Sequence, residues 1–203
     1  LAECYIKLDR QADAMVVLER GRIDCPYLLN IPVYHQLTVD NCLAQKDYAG
    51  ALSAARAGYA LARFYEAEIK SATELVRKVF MAQAEIAKAT QFLAAQEDPT
   101  APNPLTDVAL PTVSDEDRQR LLQAAAQDPA TAITVNLYLG NNQAALDAAV
   151  LSMAEAPAEK SLQAIREVAR VFKAADLNLG RANAFINYAK TGEGQNPLMN
   201  PNL

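Results

Sequence analysis

The chain has 203 residues, with 24 acidic against 19 basic side chains and a formal net charge of −5. That length supports a sizeable hydrophobic core, and the acidic excess argues against a broad nucleic-acid surface, which needs clustered Lys and Arg. Half of the residues are apolar (51%), but few are aromatic (6%) and Trp is absent, so Ala and Leu dominate and favour an all-α fold.

The chain opens at Leu1 inside a helical pattern, which reads as part of a longer or processed protein. Residues 1–8 form the last turns of a helix, with Leu1 and Tyr5 as i, i+4 neighbours. A turn at Asp9–Gln11 leads to a second helix over 12–24, with Ala14, Val17, Leu18 and Gly21 on one stripe and Pro26 as its stop. After a connector, Pro32 suits the first turn of a helix over 32–45. Lys46-Asp47 turns the chain into another helix reaching about Arg63.

From Phe64 to Gln96 there is no Pro or Gly. Ala72, Leu75, Val79, Ala82, Ile86, Ala89 and Leu93 step by three and four, which predicts one long amphipathic helix. Residues 98–113 carry Pro99, Pro102, Pro104 and Pro111 and read as an extended or mobile linker. Ser114 is the expected N-cap of the next helix, and Asp115, Glu116 and Asp117 suit its first turn rather than a metal. Asp128-Pro129 repeats that start signal. Residues 130–139 are read as helix despite the β-branched Thr131, Ile133, Thr134 and Val135. Gly140-Asn141-Asn142 turns into a helix ending before Pro157. Helices over 159–177 and 180–190 follow, then a polar, flexible tail over 192–203.

The chemistry-bearing residues form no catalytic set. Cys4, Cys25 and Cys42 lack Cys-x-x-Cys spacing and read as buried free thiols, with a Cys25–Cys42 disulfide as the alternative in an oxidising compartment. His35 is the only histidine, so zinc sites lack partners, and a packing role is expected. Gly-rich phosphate loops, Gly-x-Ser-x-Gly and His-Glu-x-x-His are absent. Glu66 and Glu68 read as surface charges. No enzyme, cofactor or metal is expected, and no apolar run reaches the roughly 18 residues of a membrane span. Cytoplasmic and periplasmic or secreted locations both fit.

Internal repetition organises the chain. Ala14 and Ala51 are 37 residues apart, as are Ala145 and Ala182. Leu1-Ala2-x-x-Tyr5, Ala14-x-x-x-Leu18, Gly21 and Pro26 match, in order and spacing, the pattern of the tetratricopeptide repeat family. Ile165-x-x-Val168-Ala169-x-x-Phe172, then Ala182, Ile186 and Ala189, match it again. Gly140, Ala145 and Pro157 match it in part, and so does the unit around Ala51, where His35 occupies a position usually apolar. The chain thus resembles that family over about two thirds of its length. The resemblance implies a right-handed α-α superhelix of about five hairpins, interrupted by the long helix and the proline linker. The expected segments are hairpins plus long helix (1–97), linker (98–113), hairpins (114–191) and tail (192–203).

The resemblance implies a non-catalytic scaffold or adaptor that binds a protein or peptide in a concave groove. A peptide-binding regulatory domain, or the accessory repeat domain of a larger protein, is the alternative. In the family, first helices line the groove. Gln163, Arg166, Arg170 and Lys173 form a basic stripe on such a helix, beside Ile165, Val168, Ala169 and Phe172. This stripe is the expected partner-binding face, suited to an acidic segment, with an ordinary solvated face as the alternative. Glu3, Gln36 and Asp40 stand where the family's carboxylate-clamp members use Lys and Asn, which argues against a chaperone C-terminus as partner.

Overall fold

The computed structural model describes residues 1–199. Residues 200–203, the end of the expected tail, lie outside the described residues. Eleven α-helices and no strand are found among the described residues. They are α1 (Ala2–Lys7), α2 (Gln11–Asp24), α3 (Pro32–Ala44), α4 (Tyr48–Leu61), α5 (Glu66–Ala82), α6 (Ile86–Glu97), α7 (Asp115–Ala125), α8 (Pro129–Tyr138), α9 (Asn142–Glu155), α10 (Ser161–Asp176) and α11 (Gly180–Thr191). A 3-10 segment, Pro26–Asn30, joins α2 to α3. Each start signal predicted from a cap works as a cap. Ser114 Oγ accepts from the Asp117 N–H, and Asp128 Oδ1 accepts from the N–H groups of Ala130 and Thr131. Asp47 caps α4 in the same way through the N–H of Gly50.

The predicted long helix is instead a hairpin. It breaks between α5 and α6 at Ala84, whose φ is +58°. The left-handed region costs a non-glycine residue about 1–2 kcal/mol, and nothing in the sequence marks it. The same backbone turn recurs at Asp9 (φ +59°), Lys46 (φ +58°) and Gly140 (φ +78°). In each, the N–H of the next residue reaches back five residues: Arg10 to Tyr5, Asp47 to Cys42, Glu85 to Phe80 and Asn141 to Asn136, all at 2.8–2.9 Å. The left-handed residue itself bonds back three, to Ile6, Leu43, Met81 and Leu137 respectively. These paired bonds are the Schellman helix stop. One device therefore closes α1–α2, α3–α4, α5–α6 and α8–α9, and a left-handed Leu177 (φ +52°) marks the α10–α11 turn.

Consecutive helices pack on one another except α6 and α7, which the 98–113 segment separates, and α4 bridges the two halves of the chain. It touches α3, α5, the 3-10 segment, α8 and α10. Its sequence explains this. Ala51, Ala54, Ala55, Ala57, Gly58 and Ala60 are all buried, and small side chains on every face let several neighbours approach at once. Gly58 lies against His35, where an added Cβ would stand 2.9 Å from the His35 Cβ. Contacts of α4 with α8 and α10, and of α2 with α7, fold the second half of the chain back onto the first. Arg22 of α2 joins them by donating to the Tyr138 hydroxyl of α8.

Residues 98–113 have no helix, but they are packed rather than loose. Leu105 is fully buried. Asn103 donates to the Leu177 carbonyl and accepts from the Leu105 N–H. Leu110 seats against Gly140, and Pro99 against Gly180. In the described part of the tail, Pro197–Met199 forms a 3-10 turn and Leu198 packs against the core.

Candidate binding cleft and the polar seam behind it

A cleft of about 360 Å³ opens between α3 and α5, with the C-terminal end of α4 as its floor. Leu29, Gly58, Leu61, Ala72 and Leu75 supply apolar lining, and Gln36 and Ser71 stand exposed on the two walls. The geometry follows from the hairpins. Two helices that each begin a hairpin, α3 and α5, lie side by side, and α4 returns between them. His35 closes the bottom. It is 4% exposed, and its Nε2 donates to the Leu29 carbonyl at 2.8 Å. Burial pushes its pKa down to about 4, against a smaller opposing effect of that hydrogen bond. The ring is therefore neutral near pH 7 and works as packing, with Tyr34 edge-on to it.

The charges around the cleft are mostly paired. Glu74 meets Arg77 at 2.8 Å, and Asp40 meets Lys78 at 2.6 Å. Glu68 is not a free surface charge: it is mostly buried, holds the Arg63 guanidinium at 2.6 Å and accepts from the Arg63 N–H.

Behind this end of the cleft lies the predicted basic stripe, and its position corrects the expectation. Gln163 is exposed and Arg166 half-buried, whereas Arg170 is 2% and Lys173 0% exposed. Arg170 donates to Glu167 at 2.9 Å, Asn30 at 2.7 Å and Thr134 at 3.2 Å. Lys173 Nζ donates to the carbonyls of Tyr59 (2.6 Å) and Ala62 (2.5 Å). These lie at the end of α4, where helix carbonyls lack intrahelical donors. Burial above all, and then the neighbouring Arg170, hold the Lys173 pKa well below its usual value. Arg170 and Lys173 are internal because α4, α8 and the 3-10 segment cover that end of the stripe. Covering elements so distant in sequence leave no mark on the spacing within α10.

Arg166 keeps an outer position. Its guanidinium carbon lies 4.7 Å from the centre of the Tyr65 ring, and that of Arg63 lies 5.5 Å from the same ring. Tyr65, in the α4–α5 connection, is the residue that reading for motifs missed, because a lone loop tyrosine carries no pattern.

All three cysteines are free; Cys4 and Cys25 are exposed and only Cys42 is buried. Burial pushes the Cys42 thiol up to about 11. Among the described residues, no group of three or more His, Cys, Asp or Glu side chains could hold a metal ion, and no helix is long and apolar enough to cross a membrane. No protein-family model, curated protein or solved structure matches the chain.

Proposed function

We propose that this protein is a non-catalytic helical-repeat scaffold that binds a segment of a partner protein in the α3–α5 cleft. The observation that carries the reading is the cleft itself: an apolar trough between two hairpin-opening helices, with the charged residues of its lining already paired. A trough of this kind suits an extended or helical segment that contributes apolar side chains. The recurring helix stops at Asp9, Lys46, Ala84 and Gly140 support a repeat architecture, and the resemblance to tetratricopeptide repeats agrees with both. The superhelix and the partner are part of this proposal.

The test is photo-crosslinking in cells. A photoreactive amino acid replaces Gln36 or Ser71, each on a cleft wall, and in a control replaces the exposed Leu151 of α9. A discrete adduct from the cleft positions only, lost when Ala72→Trp is added, supports the reading. Identical adducts from all three positions would refute it.

A further inference from the structure

The two ends of the cleft differ in charge. At the end formed by Glu74, Arg77 and Lys78, each cation has a carboxylate partner. Behind the Glu68 end, outside the lining itself, four cations (Arg63, Arg166, Arg170 and Lys173) meet two carboxylates. Arg63 holds the cleft-lining Glu68, Arg170 holds Glu167 and the cleft-lining Asn30, and Arg166 shares the Tyr65 ring with Arg63. Arg166 has no carboxylate within 4.0 Å among the described residues. This excess of positive charge sits in a chain of net charge −5, and of the two cations without a carboxylate partner, Arg166 and Lys173, only Arg166 is near the surface. The face of Tyr65, which is 36% exposed, steadies that guanidinium without neutralising it, since a ring offers only its quadrupole. The remaining hydrogen-bonding capacity of Arg166 is free to take a carboxylate.

We propose that the segment bound in the cleft is acidic on one side of its apolar anchor, with an Asp or Glu carboxylate of the partner on Arg166 at the Tyr65 lip. This rests on the cleft reading above. The charge difference between the two ends also sets the direction of the bound segment: the anchor lies over Gly58, Leu61 and Leu75, and the acid faces α10. Arg166 comes from the second half of the chain and the floor from the first, so the complete site exists only when the two halves are docked. The expected stripe on α10 thereby reduces to one residue that acts outward, while Arg170 and Lys173 hold the seam together from within.

The test uses the 203-residue chain and a phage-displayed library of random dodecapeptides, with the affinities of selected peptides measured by fluorescence anisotropy. The expected binders carry a large apolar residue next to Asp or Glu. Their affinity falls about tenfold or more in Ser71→Trp, which fills the cleft from an exposed position, and also in Arg166→Glu. Replacing the peptide acid with Lys restores binding to Arg166→Glu. Arg166→Gln, which keeps the side chain's bulk, gives a smaller loss, and circular dichroism melts check that each variant folds. Binders sensitive to Ser71→Trp but indifferent to Arg166→Glu, with no acidic preference, would overturn the inference and leave the cleft reading standing. If neither Ser71→Trp nor Gln36→Trp weakens any selected peptide, the cleft reading falls and this inference with it.

Discussion

The Nζ of Lys173 donates a hydrogen bond to the carbonyl oxygen of Tyr59 at 2.6 Å, although 114 residues separate them. With the bond to Ala62, it makes a side chain of α10 the cap of α4. Lys173→Met keeps the stem's volume but leaves both carbonyls without their donor. Each unsatisfied buried group costs about 1–3 kcal/mol. Burying a cation is itself unfavourable, and burial lowers the pKa of Lys173, so removing the ammonium offsets part of that loss. The expected net loss is about 2 kcal/mol, seen as a lower urea midpoint at unchanged slope.

Ala84 offers the opposite outcome. Its positive φ is a strained conformation that glycine adopts freely, so Ala84→Gly is expected to stabilise the chain by about 1 kcal/mol. In a domain of this size, that raises the melting temperature by about 2–4 °C. The same change at exposed Ala87, inside α6, removes a good helix former and lowers stability by about 1 kcal/mol. Thermal melts of the two variants, compared with the parent, check the sign.

His35 predicts a pH dependence. Its folded pKa of about 4 lies below the unfolded value of about 6.5, so the folded state binds fewer protons between these values. The neutral ring's contribution is therefore complete above about pH 6.5 and is lost as pH falls toward 4, to the extent of about 3 kcal/mol. Urea unfolding at pH 7, 6, 5 and 4.5 is expected to show this slope. His35→Leu removes the part due to this residue, while the carboxylates continue to titrate at the acid end.

Gly58 is expected to tolerate no side chain. A Cβ there would meet the His35 Cβ at 2.9 Å, within a helix pair that cannot shift without disturbing α5, α8 and α10. Gly58→Ala is expected to cost about 1–3 kcal/mol through overpacking. If the cleft is the binding site, it also weakens the partner segment by raising the floor. Stability by chemical denaturation and affinity for a selected peptide measure the two effects separately.

The helix-forming segments were legible because their signals are local. Ser114 and Asp128 reach N–H groups two or three residues away, and Pro32 and Pro129 stand at helix starts. The segment predicted as helix over 130–139 does form one, α8 (Pro129–Tyr138), despite its β-branched content, because tertiary burial outweighs propensity: Ile133, Val135 and Leu137 are all buried. The break at Ala84 was illegible because alanine is a helix former with no turn signature. Its left-handed conformation is imposed by the pairing of α5 with α6. For the cleft, the sequence offered His35 as an unusual residue and α3 as a groove helix, but it did not indicate that Gly58 makes room for that imidazole.

By itself, the sequence determined an all-helical chain of hairpins, its caps and most of its boundaries. These depend on 3.6-residue periodicity and on hydrogen bonds spanning only a few residues. Only the tertiary structure decided which face of α10 meets water. Gln163, Arg166, Arg170 and Lys173 share one stripe, yet Arg170 and Lys173 are enclosed by elements more than thirty residues away (Thr134) and more than a hundred (Asn30, Tyr59). Amphipathic periodicity records that a helix has two faces. Which of its polar residues end up inside depends on where the rest of the chain folds back.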